Sequence, residues 1–314
     1  MNIDVLGLGA VAMDIVLNCG HLPEEDGYAV IDKESATPGG SCANVITSLA
    51  GFGTKSGFVA RLGDDTYGRA LMTDLQALGV ATRYISVKKD GVSMHSYVAV
   101  EKSGSKTIFC NMGDSLLSLT EQEVHAEMLD GVKFFYTAMQ PGKPALKLAR
   151  LCREKGIPVI CNLQVEPDFL NRCGVSKSMI EEMLSLSGLL ITFRNGLITH
   201  TGQRDIHAAA RYLYEKYHPD MGLIVTLGED GALWLDGKSF FKVPAFHVAA
   251  RDTTGAGDAF IGGIIQGKFF EGFDPKKAMV FASACAALKC TQPGPRLKAS
   301  KSDVLNFMEG HETI

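Results

Sequence analysis

The chain has 314 residues, 46% of them hydrophobic and 21% charged, with a formal net charge of -4 and a sequence pI near 6.1. Such a chain buries a large core as one big domain or two modest ones. It has no basic excess to neutralise a phosphate backbone and no block of five or more Lys or Arg, which argues against nucleic acid as its main partner.

The first stretch, MNIDVLGLGAVAMDIVLNCG, has no basic leader, and Asp4, Asp14 and Asn18 break its apolar run. Neither a signal peptide nor a membrane span is expected, and the cytoplasm is the expected compartment. IDVLGLG reads as a first strand, and SCANVITSLAGFG as a helix from about Ser41 to Phe52 with a Val45/Leu49 stripe and a Gly stop. KSGFVA, VKFFYTA, IPVICN, GLLITF and GLIVTL read as further strands, with KPALKLARLCREKG and RDIHAAARYLYEKYH as helices between them. From Ala256 through KKAMVFASACAALKC the pattern turns helical. This alternation is that of βα units around a mostly parallel sheet. Two segments depart from it: residues 26–37 and 91–110 show period-2 patterning, the second with a hairpin-like Ser103-Gly104. They read as a small accessory sheet inserted in the α/β body.

The eight cysteines contain no CxxC pair and the eight histidines no HExxH, so neither a disulfide framework nor a zinc site is expected. Cys285 and Cys290 read as small buried thiols on one apolar helix. Three glycine patterns imitate nucleotide loops. GGIIQGKF (262–269) puts Phe where a Walker loop needs Ser or Thr, and reads as helix interior. GALWLDGKS (231–239) is one residue too long, and its Asp236-Gly237 reads as a hairpin turn. GLGAVA (7–12) matches a dinucleotide fingerprint, but CGHLPEEDG interrupts the chain where the helix should follow. The alternative is that the strand simply ends and delivers Asp14 to the carboxyl edge of the sheet; a solvated or capping Asp14 is the plainer reading.

TPGGSCAN (37–44) sets Gly39 and Gly40 before a helix N-terminus with Asn44 one turn in. Alone, it reads first as a turn and a cap. DTTGAGDAF (252–260) is more specific, because the N–H groups from Gly255 to Asp258, at a helix N-terminus, suit developing negative charge on a phosphate. A binding loop gains nothing from a carboxylate at Asp258, whereas a general base explains loop and acid together. The plainer alternative is a helix-capping acid.

In this order, Gly39-Gly40 with Asn44, RLGDD (61–65), VTLGEDGALW (225–234), DTTGAGDAF and CTQPGPR (290–296) closely resemble the ribokinase-like, or phosphofructokinase-B type, carbohydrate kinase family, over nearly the whole chain. The resemblance implies a doubly wound, mostly parallel α/β domain over residues 1–314, with a small β lid built from about 15–37 and 91–110. It implies ATP-dependent phosphorylation of a small carbohydrate hydroxyl, with Asp258 as base and Gly255, Ala256 and Gly257 as anion hole. Asp14, Gly39, Gly40 and Asn44 match positions that hold sugar hydroxyls; Thr226, Gly228, Gly231 and Ser283 match nucleotide positions. Asp252 and Thr254 match a loop that in many members binds a monovalent cation, often potassium. Magnesium on the phosphates is also implied, with Asn162 in its polar network. One departure stands out: the family's N-x-x-E is here Arg194-Asn195-Gly196-Leu197, without the acid. A nucleoside kinase on the same scaffold and a weakly active sugar- or nucleotide-binding relative are the alternatives, and a homodimer through the lid is expected because an exposed edge strand needs a cover.

Overall fold

The computed structural model describes residues 2–102, 105–164 and 167–311. The chain enters through β1 (Val5–Leu8), leaves the body for β2 (Ala12–Cys19) and β3 (Ile31–Gly39), and returns through α1 (Ser41–Gly51), β4 (Ser56–Gly63), α2 (Thr66–Ala77) and β5 (Ala81–Lys88). A second excursion makes β6 (His95–Glu101) and β7 (Lys106–Asn111). Next come β8 (Phe134–Thr137), α3 (Gly142–Lys155), β9 (Val159–Leu163), α4 (Pro167–Arg172), α5 (Lys177–Leu186) and β10 (Leu189–Phe193). α6 (Arg194–Thr201), α7 (Ile206–Tyr217) and β11 (Gly222–Thr226) lead to a hairpin, β12 (Ala232–Leu235) and β13 (Phe240–Val243). Three helices follow: α8 (Ala256–Ile265), α9 (Pro275–Cys290) and α10 (Lys301–Gly310).

The nine-stranded sheet has the order β13-β12-β11-β10-β9-β8-β1-β4-β5. It is parallel from β5 to β11 and antiparallel at the β12–β13 hairpin. Alternate residues of each central strand enter cores on opposite faces. Leu6, Leu8 and Leu190 pack with Leu148, Ile180 and Leu213 of α3, α5 and α7, while Val5, Leu189 and Ile191 pack with Ile46, Leu71, Ile264 and Ala282 of α1, α2, α8 and α9. Burial on both faces is why these strands are apolar runs rather than alternating ones. Each buried Leu or Ile contributes about 1.5–3 kcal/mol. Among the described residues no helix is long and apolar enough to cross a membrane.

The second sheet, β3-β2-β6-β7, is the lid. It begins earlier than the sequence implies. The strand IDVLGLG ends at Leu8, but a new strand starts at Ala12, so Asp14 is carried by the lid and not by the edge of the main sheet. β5 escapes the periodicity as well, because it is a partly exposed edge strand without clean alternation. Ser103 and Gly104, read as the β6–β7 turn, lie outside the described residues; the two strands do pair antiparallel. The lid is fixed to the body by RLGDD: Asp65 caps α2 through Gly68 N at 2.7 Å and accepts Ser93 N at 2.8 Å, just ahead of β6.

The imitation loops have structural explanations. Asp236-Gly237 turns between β12 and β13, and Gly262 lies inside α8, which passes into a π-type turn over Gln266–Phe270. A Cβ on Gly9 would lie 2.4 Å from Cys42 Cβ, so this glycine lets α1 rest on β1. Of the two thiols on α9, Cys285 is buried, whereas Cys290 is half-buried at the helix end. Overpacking predicts that Gly9→Ala lowers stability by about 1–3 kcal/mol in urea denaturation. The matched control Gly20→Ala, where a Cβ meets nothing within 4 Å, should stay within about 0.5 kcal/mol of the parent.

Candidate active site

α8 starts at the end of a tight turn. Gly255 adopts φ +76°, and a Cβ there would approach Pro295 O to 1.8 Å, so only glycine allows this turn to lie against the 290–296 segment. No side chain caps α8, and among the described residues the N–H groups of Gly257 and Asp258 find no acceptor. Gly257 itself faces open space. Unpaired donors at the positive end of a helix form a site for an anionic group.

Asp258 stands in that first turn and is only 8% exposed. Its Oδ2 accepts a 2.8 Å hydrogen bond from Asn44 Nδ2, from the N-terminal half of α1. Burial pushes its carboxyl up to about 7, against the Asn44 hydrogen bond and helped by the charge of Asp14. A carboxylate poised there can take a proton near neutral pH. Asn44 is in turn held by Arg296, whose Nε donates to Asn44 Oδ1 at 3.3 Å and whose Nη1 pairs with Asp74 of α2. The amide orientation follows: its nitrogen serves the carboxylate, its oxygen the guanidinium. Arg296 Nη2 is buried without a partner among the described residues.

The lid supplies the opposite wall. Register places Thr37, Asp14, Ser96 and Cys110 in one row across its four strands. The Ser96 hydroxyl donates to Asp14 Oδ1. Burial raises the Asp14 carboxyl, while Ser96, Arg296 and Lys106 pull it back. The glycine pair now has its reason. A Cβ on Gly39 would lie 2.3 Å from Asp14 Oδ2, and Gly40, at φ +90°, would drive its Cβ within 2.5 Å of Val11 Cα. The family resemblance matches these glycines to positions that hold sugar hydroxyls; the room they leave is first used by the chain's own Asp14 and by the approach to β2. Four residues further along the inner face, on β7, Lys106 Nζ reaches Thr254 Oγ1 at 3.2 Å and ties lid to loop.

The nucleotide-type residues gather less uniformly. Thr226 ends β11 beside Phe193 of β10, its hydroxyl 3.4 Å from Thr192 O. Gly228 begins the turn Gly228–Asp230 and faces open space, and Arg194 at the start of α6 pairs with Asp230 of that turn. Gly231 has a structural duty, since a Cβ would meet Val243 O at 2.0 Å. Ser283 is buried and donates to Pro244 O at 3.1 Å, fastening α9 to the segment leaving β13. Asn162 is the next-to-last residue of β9, its amide nitrogen 2.5 Å from Gln164 Oε1 and 3.4 Å from Tyr136 Oη. Leu197, in the place of the family's acid, is fully buried in the core cluster, so a carboxylate introduced there would meet hydrocarbon, not phosphates.

Ser96, Lys106 and Arg296 were missed as site residues by sequence reasoning. Each meets its partner over long separations, 82 residues for Ser96 and Asp14 and 252 for Arg296 and Asn44; no local signal marks Ser96 or Lys106, while Arg296 closes the CTQPGPR motif without being singled out in it.

The chain is similar throughout its length to known kinases. The pfkB family carbohydrate kinase model matches residues 2–302. An ATP-dependent ribose-1-phosphate kinase of Halopiger xanaduensis is 29% identical over 307 residues, covering 97% of each chain. A fructokinase of Solanum tuberosum is 28% identical over 289 residues, covering 87% of this chain and 86% of its own. An E. coli protein described as a ribokinase II, solved with ATP and Mg2+, superimposes with a TM-score of 0.87 at 21% identity, covering 98% of this chain and all of that one. A doubly wound body, a β lid and a buried carboxylate beside free amides thus coincide with a family match across nearly every residue, and the chain belongs to the pfkB family of carbohydrate kinases.

Proposed function

We propose that this protein transfers the terminal phosphoryl group of ATP to a hydroxyl of a free sugar or sugar-like alcohol. The observation that carries this reading is the pairing of Asp258, its carboxyl raised to about 7, with the unpaired amides of its own helix turn. A substrate hydroxyl bound between Asp14, Asn44 and the Gly39-Gly40 turn gives its proton to the Asp258 carboxylate as its oxygen attacks. The amides of 255–258 receive the charge of the transferring group, which is where phosphoryl transfer gains most. The lid, held over the loop by Lys106, keeps water from competing. The interleaving of lid and body strands along the chain supports one domain with the lid inserted in it.

ATP finds its support on this chain in Thr226, Gly228 and the Arg194–Asp230 pair at the ends of β10 and β11. Among the described residues no cluster of three or more His, Cys, Asp or Glu could hold a metal unaided. A magnesium ion brought by the nucleotide phosphates would be held on this chain through the polar network of Asn162. When bound, the ion would screen phosphate charge.

The lid also supports the reading of a homodimer, because Tyr28, Val30, Tyr97 and Phe109 on or beside its strands are exposed. Light scattering on the eluted protein should find a dimer that Phe109→Asp converts to monomer; a monomeric parent at every concentration sinks this reading.

A coupled ADP-release assay over sugars, sugar acids, sugar phosphates and nucleosides tests the activity. Turnover only with nucleosides would make the protein a nucleoside kinase, and none with any acceptor would leave it a binding relative. Asp258→Asn should lower kcat by about 10²–10⁴-fold while ligand binding, followed by thermal shift, persists. Full activity in that variant overturns the mechanism. The base must be ionised, so kcat/KM should fall as pH drops below about 7 and level off above it. The Asn44 hydrogen bond favours the ionised form, so Asn44→Ala should move that limb to higher pH; a shift the other way would contradict the assignment.

A further inference from the structure

Lys289 is fully buried, and every other lysine among the described residues is half-buried or exposed. It sits in the last turn of α9, where its ammonium donates to Asp252 O at 2.6 Å and lies 3.4 Å from Gln292 O. These carbonyls belong to the two segments that meet under the anion-accepting turn. The same junction is laced by Arg251 N and Asp252 N donating to Cys290 O, at 2.8 and 3.1 Å, and by Gly255 pressed on Pro295.

Among the described residues, the oxygens that Asp252 and Thr254 would offer a monovalent cation already have partners. Both oxygens of the Asp252 carboxylate are committed, Oδ1 to Thr254 N and Oδ2 to Gly294 N, each at 2.9 Å. The Asp252 carbonyl receives the lysine, and the Thr254 hydroxyl accepts from Lys106. A potassium ion needs carbonyl and carboxylate oxygens in place of its hydration shell; here those oxygens already face N–H groups and a fixed ammonium, which repels a second cation. Asp252 and Thr254 therefore do not fit the potassium site that the family resemblance implies.

We infer that Lys289 is a built-in cation that positions the loop from Asp252 to Gly255, so that phosphoryl transfer by this protein needs no monovalent ion. It is a positioning residue, touching neither substrate nor nucleotide. The inference rests on the kinase reading for its kinetic arm only.

The experiment compares KCl, NaCl and choline chloride at equal ionic strength, by ADP release and by thermal shift. The wild-type protein should turn over within about twofold in all three and show one melting temperature; stimulation of ten-fold or more by potassium, or a melting rise confined to potassium, overturns the inference. Lys289→Ala should lose at least ten-fold in kcat in choline chloride, recover with potassium or ammonium, and acquire a potassium-dependent rise in melting temperature. Unchanged activity, or a loss that no small cation restores, refutes the role. Should the alanine variant fail to fold, Lys289→Gln goes through the same series and the wild-type salt response decides. If no acceptor in the panel is phosphorylated, the kinase reading fails, while the melting responses still report on Lys289.

Discussion

A single hydrogen bond, Asn44 Nδ2 to Asp258 Oδ2 at 2.8 Å, determines what the rest of the molecule has to do. A carboxylate buried at the start of α8 would otherwise be driven neutral by desolvation, and a neutral acid cannot accept a proton. The bond must come from another helix, so α1 has to lie against α8 with Asn44 in its first turn, and Gly9 and Gly40 are the concessions that bring α1 to that place. Arg296 then removes the remaining freedom by occupying the amide oxygen. Turning the amide over would set oxygen against carboxylate and nitrogen against guanidinium, two repulsions in exchange for two attractions.

Charge around the site is arranged by segment. The acids come from the lid and α8, as Asp14 and Asp258, and the cations from the lid's outer hairpin and the tail after α9, as Lys106 and Arg296. The lid supplies one charge of each sign, α8 the second acid and the tail the second cation, and each carboxyl keeps a level set by burial against particular partners. Lys289 stands apart from this set: it faces backbone carbonyls, and its charge stiffens a turn instead of meeting a ligand.

The body of the fold was legible in the sequence because its parallel strands are covered on both faces and appear as unbroken apolar runs, as in GLLITF and GLIVTL. The same logic hid β2 and β5, which are covered on one face or lie at an edge and carry mixed residues. At the site, DTTGAGDAF was readable since loop, helix start and acid are contiguous. Ser96, Lys106, Arg296 and Lys289 were not, because their meaning arises only from distant partners. The departure at Leu197 stood out in the sequence, yet that position points into hydrocarbon, and Arg194 one turn earlier is engaged with Asp230.

The parallel pairing of β2 with β6 has a consequence for how the molecule comes into being. Asp14 and Ser96 are 82 residues apart, with α1, β4, α2 and β5 between them. Closing so long a loop costs chain entropy that only later contacts repay, and non-local parallel pairing is intrinsically slow. The lid therefore assembles after the half of the body it encloses. In a nascent chain all four lid strands emerge long before the α8 turn that they face, so substrate capture begins only when the whole chain is in place.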